Sequence, residues 1–205
     1  MSELEGKWWA PHALFEAAHA IRRSMPQSEF LRRPDMRGVR EAITCSSLAV
    51  LRPWNRDWEV FTVPQRDQFP DAVFRCGNDV RRFEVTWVDH PGRRMSEEYV
   101  QAEAREAAGL PPILEHYDWQ EESDLGLRLI VERIDQKAQK RYRPKPNLLL
   151  HVNLDRSEHA ASSLYAWQIG QMFGDSFDSI WLLWGSRAVR LWPNPARIKA
   201  IASPA

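Results

Sequence analysis

The spacing of apolar residues along the chain predicts several helices that each bury one face. Apolar side chains recur every three to four residues in such helices. Segment 125–142 has the clearest pattern, and Pro144 and Pro146 follow its end. Its apolar stripe consists of Leu127, Ile130, Val131, Ile134, Ala138 and Tyr142. The predicted helices cover residues 11–25, 35–43, 96–108, 125–142 and 162–173.

Short runs of β-branched and aromatic residues, bounded by turn residues, predict strands. The turn sequence Gly77-Asn78-Asp79 lies between 71–76 and 80–89 and indicates a hairpin. Residues 147–155 form a near-continuous apolar run, which is typical of a strand buried on both faces. We therefore expect 147–154 to be an interior strand of the hairpin's sheet. The remaining predicted strands are 58–63, 179–185 and 188–193.

The order of these elements predicts an α/β (α+β) fold, with a mixed central sheet that contains a hairpin and is flanked by helices. The 205 residues are enough for one sizeable core, and no segment looks like a linker. We expect a single domain, 1–205. It would comprise an N-terminal helical part (1–54), a core (55–193) and a tail (194–205).

The charge and cysteine counts exclude several functional classes. Lys and Arg number 28, as do Asp and Glu, so no net charge draws the protein to nucleic acid or to a membrane. A local basic cleft remains open, because arginine pairs such as Arg22-Arg23 and Arg81-Arg82 occur along the chain. Cys45 and Cys76 are too few for a disulfide scaffold, and the acidic start lacks a signal-peptide pattern. A cytoplasmic protein without a membrane partner is expected.

Candidate chemistry lies on the predicted hairpin. Glu84 and Thr86 are two residues apart, so their side chains share one face of a strand. A turn centred on Asn78 and Asp79 would place Asp71 opposite Thr86, with Glu84 on the diagonal. Two carboxylates on adjacent strands offer the hard oxygen ligands that Mg²⁺ or Mn²⁺ prefers. Asp71 and Glu84 are therefore the predicted metal ligands.

Phe69-Pro70-Asp71, followed after eleven residues by Phe83-Glu84-Val85-Thr86, resembles the motif of the PD-(D/E)XK nuclease superfamily, which has the restriction-endonuclease-like fold. The order of elements over roughly residues 55–185 is also similar. The resemblance implies Mg²⁺-dependent hydrolysis of phosphodiester bonds in DNA, with Asp71 and Glu84 as catalytic carboxylates.

The sequence departs from this family at the motif lysine, because Thr86 occupies that position. In the family the lysine can move to the neighbouring helix, which makes Lys137 and Lys140 the candidates. At about 100° per residue, Lys137 borders the apolar stripe, whereas Lys140 points further toward solvent. Lys137 is therefore the predicted catalytic cation, and Lys140 is a possible phosphate contact.

Other polar residues are weaker candidates. Arg82 shares the strand face of Glu84 and could contact phosphate or pair with a carboxylate. Glu16 on the first helix and Glu59 on a strand are possible further acids, although Glu16 is expected to be exposed. His151, within the buried strand, is expected to be a hydrogen-bonded core histidine.

A second functional class remains open from the sequence alone. A catalytically inactive nuclease-fold protein that binds a protein partner would also carry these elements. Neutral net charge and Thr86 at the lysine position favour this alternative, whereas the carboxylate pair and the lysine pair favour an enzyme.

Overall fold

The computed structural model describes residues 3–51, 58–64, 69–91, 95–111, 119–154, 163–185 and 187–193. Within these ranges the chain forms a seven-stranded mixed sheet and six α-helices, so the predicted α/β class is confirmed. The predicted tail, 194–205, lies outside the described residues. None of the described helices is long and apolar enough to cross a membrane.

Five of the six helices correspond to predicted ones. The helices are α1 (Pro11–Arg23), α2 (Gln27–Arg32), α3 (Arg37–Leu51), α4 (Met95–Ala107), α5 (Trp119–Ala138) and α6 (Ser163–Phe173). Helix α2 was not predicted, because six residues are too few to show a periodic pattern. Helix α3 follows a 3₁₀ turn at Pro34–Met36 and continues well past the predicted end at residue 43.

The strands are arranged in the sheet in their order along the chain. They are β1 (Trp8–Trp9), β2 (Glu59–Thr62), β3 (Ala72–Cys76), β4 (Asp79–Val88), β5 (Asn147–Val152), β6 (Ser179–Trp184) and β7 (Arg187–Trp192). Strands β1 to β4 form an antiparallel meander, β4, β5 and β6 are parallel, and β7 returns antiparallel to β6. The two-residue strand β1 was not predicted.

Strand β5 is an interior strand, as its apolar run predicts. It pairs with β4 on one side and with β6 on the other. Leu148, Leu149 and Leu150 are fully buried although successive residues point to opposite faces. Both faces of this strand are therefore covered by hydrophobic core.

The sheet separates two hydrophobic cores, one on each face. Helices α1 and α3 pack on one face, where Phe83 and Val85 of β4 contribute to the core. Helices α5 and α6 pack on the other, where Val88 of β4 contributes. Since side chains alternate along a strand, Glu84 and Thr86 lie on the side of α5 and α6.

The hairpin between β3 and β4 forms as predicted, but the predicted register is wrong. Cys76 pairs with Asp79, so the loop is the two-residue turn Gly77-Asn78, and Gly77 has a positive φ of 56°. The turn thus comes earlier than the centre assumed from the sequence. Ala72 pairs with Phe83. Continued by one residue beyond Ala72, this register would set Asp71 against Glu84 and not against Thr86.

The apolar stripe predicted that helix α5 would end at residue 142. The helix ends earlier, at Ala138. The last turn tightens, because the backbone N–H groups of Lys140 and Arg141 donate to carbonyls three residues earlier. Arg141 then adopts a positive φ of 51°, which turns the chain away from the helix axis. Tyr142 consequently lies in the loop that follows α5.

Candidate active site

Asp71 lies where the hydrogen-bonded ladder between β3 and β4 ends. Its backbone N–H donates to the carbonyl of Phe83 at 3.0 Å. Its Oδ2 accepts from the backbone N–H of Val85 at 2.7 Å. The Asp71 carboxylate thus accepts a strand N–H that would otherwise bond to a backbone carbonyl of a paired strand. This bond fixes the orientation of the carboxylate.

Glu84 is the centre of the polar cluster. Its side chain is only 4% exposed, in the middle of a strand that otherwise supplies core residues. Its Oε1 accepts from Lys137 Nζ at 2.6 Å and from the Tyr142 hydroxyl at 2.7 Å. Lys140 Nζ lies 3.7 Å from the same oxygen. The predicted proximity of Lys137 to Glu84 is therefore confirmed.

The two lysines differ in environment, as the helix angles predict. Lys137 is 15% exposed and is held between the core and Glu84. Lys140 is 55% exposed and approaches Glu84 from the solvent side. Thr86, at the motif's lysine position, is buried and supplies no charge.

The other carboxylate oxygen of Glu84, Oε2, is buried and has no hydrogen-bond partner among the described residues. A buried carboxylate oxygen without a partner costs free energy, so nearly all such atoms in proteins are satisfied. A bound cation or an ordered water would satisfy it. Of the two carboxylate oxygens of Glu84, Oε2 is thus the one without a hydrogen bond in the described part of the protein.

Asp71 is electrostatically coupled to this cluster. Burial and then the negative charges of Glu84 and Glu41 raise its pKa to about 7. Near neutral pH, Asp71 is therefore divided between its protonated and ionised forms. A cation placed between Asp71 and Glu84 would favour the ionised form of both.

Glu41 is a third carboxylate that sequence reasoning missed. It is buried on α3 and receives a hydrogen bond from Arg37 Nε at 2.8 Å. Burial raises its pKa, and the charge of Glu84 adds to the effect. The signal was an acid on the apolar face of a helix, since Glu41 lies three residues after buried Gly38 and four before buried Cys45. That face becomes evident only when α3 is extended to Leu51.

Tyr142 is the second residue whose role was missed, because it was assigned to the apolar stripe. Its hydroxyl donates to Glu84, and its ring lies 4.9 Å from that of Phe69. Burial and the neighbouring carboxylates raise its pKa, so the phenol remains a hydrogen-bond donor. The turn at Arg141 that brings it there has no clear signature in the sequence.

The weaker candidates lie away from this cluster. Glu16 is exposed, as expected, and pairs with Arg23 at 3.7 Å. Glu59 pairs with Arg75 at 2.6 Å on the neighbouring strands. Arg82 is exposed and lines a separate cavity with Lys145. Among the described residues it makes no ion pair with Asp71 or Glu84.

His151 lies on the interior strand β5, as predicted, but it is half-buried there and not fully buried in the core. Its Nδ1 lies 3.3 Å from the hydroxyl of Thr44 on α3. Burial lowers its pKa, so the ring is neutral at pH 7. It contacts neither Asp71 nor Glu84 by a hydrogen bond.

Several of the basic residues are already paired with nearby acids. Arg33 binds Asp35 and Glu29, and Arg81 binds Asp79. The pair Arg93-Arg94 lies outside the described residues. Among the residues described, a basic surface would have to be built mainly from other cations, such as Lys140.

The donor set fits a hard divalent cation with few protein ligands. In the described ranges, no group of three or more His, Cys, Asp or Glu side chains could hold a metal ion. Mg²⁺, however, is usually held by one or two carboxylates and keeps several waters. Asp71 and the unpartnered oxygen of Glu84 meet that requirement.

Comparisons with protein-family models, with curated proteins and with solved structures give no significant match to this chain.

Proposed function

We propose that this protein is a metal-dependent, nuclease-like hydrolase of phosphodiester bonds in DNA. The observation that carries the proposal is a helix lysine bonded to the buried glutamate of β4, beside an aspartate whose carboxylate accepts from the backbone N–H of the next residue of that strand. This arrangement replaces the cation that Thr86 cannot supply.

Asp71 and Glu84 would hold Mg²⁺ or Mn²⁺. When bound, such an ion activates water and polarises a phosphodiester oxygen. Lys137 supplies a fixed positive charge beside the carboxylates, where negative charge would develop on the phosphate. Tyr142 holds Glu84 in place by donating to Oε1, so Oε2 is the oxygen with which Glu84 would hold the ion.

Lys140 is proposed as a secondary contact to the phosphate backbone of the substrate. Its ammonium is mostly exposed, yet it lies within 4 Å of Glu84. An exposed lysine neutralises phosphate charge without the fixed, two-pronged geometry that an arginine provides. Arg82 would serve only a more distant part of a bound strand. We also propose that the protein acts in the cytoplasm, as the sequence leads us to expect.

The alternative is an inactive nuclease-fold protein that binds a protein partner. One observation favours it: the charge of Glu84 is already neutralised by Lys137, so the ion pair is complete without a ligand. The unpartnered Oε2 and the raised pKa of Asp71 favour the hydrolase, because a paired structural bridge needs neither.

A cleavage assay distinguishes the two. Single- and double-stranded DNA and RNA are incubated with the protein and Mg²⁺ or Mn²⁺. We expect Lys137→Ala to lower the cleavage rate by roughly 10²–10³, Lys140→Ala to lower it less, and Lys145→Ala to leave it unchanged. If the wild-type protein cleaves none of these substrates with either ion, the binding-module alternative replaces the hydrolase.

A further inference from the structure

A second cavity lies on the opposite face of the sheet from Lys137. Its volume is about 600 Å³, within the range of small-molecule sites. Its walls come from α1 to α4 and from the carboxyl ends of the parallel strands β4 and β5. Ligands commonly bind outside the carboxyl ends of parallel strands. Asp71, Glu84 and Lys137 do not line it.

Two arginines in this cavity have no carboxylate partner among the described residues. Arg22 donates through Nε to the neutral amide of Gln27 at 2.9 Å. Arg40 donates through Nη1 alone, to the carbonyls of Phe30, Leu31 and Arg33 at the end of α2. The remaining N–H groups of both guanidinium groups make no hydrogen bond within the described chain.

The charge of these arginines is only partly balanced. Arg37, the third arginine of the cavity, is neutralised by Glu41 at 2.8 Å. The acid of the described lining is Asp89, which is exposed and receives a hydrogen bond from Asn153 at 2.8 Å. Burial lowers the pKa of Arg40, which indicates that the described residues compensate its positive charge poorly. An anion would relieve this cost.

Beside the arginines, the cavity has aromatic and amide groups. Phe30, Trp87 and Tyr99 line it, together with the amide side chains of Gln27 and Asn153. Aromatic side chains provide flat apolar surfaces on which a nucleobase can stack. The amides offer donors and acceptors for its polar edge. Phosphate is recognised by guanidinium groups, which present several parallel N–H donors.

We propose that this cavity binds a nucleoside monophosphate unit, with the phosphate at Arg22 and Arg40 and the base against the aromatic wall. The unit is either a free nucleotide or the 5′-phosphorylated end of a nucleic acid strand. Binding needs no divalent cation and no hydrolysis, so it is separate from the proposed activity at Asp71 and Glu84.

The test measures binding by calorimetry with the whole chain in EDTA, which removes divalent cations. The probes are 5′-AMP and adenosine. We expect AMP to bind at least roughly tenfold more tightly than adenosine, because only AMP carries the phosphate. Equal affinity for the two, or no measurable binding of AMP at millimolar concentration, would overturn the proposal.

Variants of neighbouring arginines assign the binding to the cavity. Arg22→Gln should weaken AMP binding roughly tenfold, and Arg22→Lys should weaken it less, because the charge remains. Arg23→Gln is the matched control, since Arg23 is the next residue on α1 and pairs with Glu16 outside the cavity. Equal losses in Arg22→Gln and Arg23→Gln, with both variants folded by circular dichroism, would overturn the assignment.

Two oligodeoxyadenosines distinguish the sources of the nucleotide. One carries a 5′-phosphate and the other a 5′-hydroxyl. Tighter binding of the phosphorylated strand than of AMP supports a strand end as the ligand, and tighter binding of AMP supports a free nucleotide. If the 5′-hydroxyl strand binds as tightly as both phosphorylated probes, the phosphate is not recognised and the proposal is wrong.

Discussion

The buried carboxylate of Glu84 is stabilised by the ammonium group of Lys137. Glu84 is almost completely removed from solvent, and a buried carboxylate is costly unless a cation and hydrogen bonds compensate it. Lys137 and Tyr142 compensate one of its oxygens. A glutamate at position 84 of the strand therefore requires the lysine at position 137 of the helix, although 53 residues separate the two in sequence.

Removing the cation of this pair should destabilise the fold strongly. Lys137→Met would leave Glu84 buried and unpaired, which typically costs about 3–5 kcal/mol. Lys140→Met should cost less than about 1 kcal/mol, since that lysine is mostly exposed. Urea unfolding measures both.

The double variant Glu84→Gln/Lys137→Met is the control for this interpretation. It removes both charges, so it should recover much of the stability that Lys137→Met loses. If Lys137→Met costs no more than Lys140→Met, the ion pair is not the buried contact described here.

Asp71 should make stability depend on pH in the direction opposite to most carboxylates. Its pKa is raised from 3.8 to about 7 in the folded protein, so the folded state binds the proton more tightly than the unfolded chain does. Its stabilising contribution is complete below about pH 4 and is lost as the pH rises through about 7. The full difference corresponds to about 4 kcal/mol at most.

Comparing the wild type with Asp71→Asn isolates this effect. Asparagine keeps an oxygen that can accept from Val85 but has no proton to lose. The stability of the variant relative to the wild type should therefore rise between pH 4 and pH 8, as measured by urea unfolding. A constant difference across this range would show that Asp71 ionises normally.

At the scale of elements, strong local signals made the hairpin and the interior strand predictable. Gly77-Asn78 specifies a two-residue turn, and the apolar run of β5 specifies burial on both faces. The register was missed because the turn was centred too late in the sequence. The end of α5 was missed because Tyr142 continues the apolar pattern, although the backbone has already turned at Arg141.

Close packing between α6 and β7 provides a test at this scale. A Cβ added at Gly170 would lie 2.4 Å from Cε3 of the Trp192 ring. Gly170→Ala should therefore destabilise the protein by about 1–3 kcal/mol, although alanine is the better helix former by about 1 kcal/mol. Denaturant unfolding measures the change.

The same substitution in a second background identifies the cause. In Trp192→Ala the ring is absent, so Gly170→Ala should become neutral or stabilising there. If it is equally destabilising with and without the ring, the packing of Trp192 on α6 does not explain the need for glycine.

At the scale of the whole molecule, the candidate site joins the β3–β4 hairpin to helix α5, which follows it in the chain only after α4. Asp71 and Glu84 were predicted from their places on one hairpin, whereas Lys137 was predicted from the resemblance to the nuclease motif and from its place beside an apolar stripe. Tyr142 was not predicted as a member of the site, and Glu41 was not predicted as a charge that acts on Asp71. Their positions depend on the length of α3 and on a single backbone turn, which become definite only when the layers pack.

The central claim is that Asp71 and Glu84 together form a site for a divalent cation. Calorimetric titration with Mn²⁺ at neutral pH tests it most directly. We predict that Mn²⁺ binds the wild-type protein, that Asp71→Ala and Glu84→Gln each abolish binding, and that Glu59→Gln, which changes an acid of the same sheet outside the site, retains it. Absence of Mn²⁺ binding by the wild type, or unchanged affinity in folded Glu84→Gln, would contradict the claim.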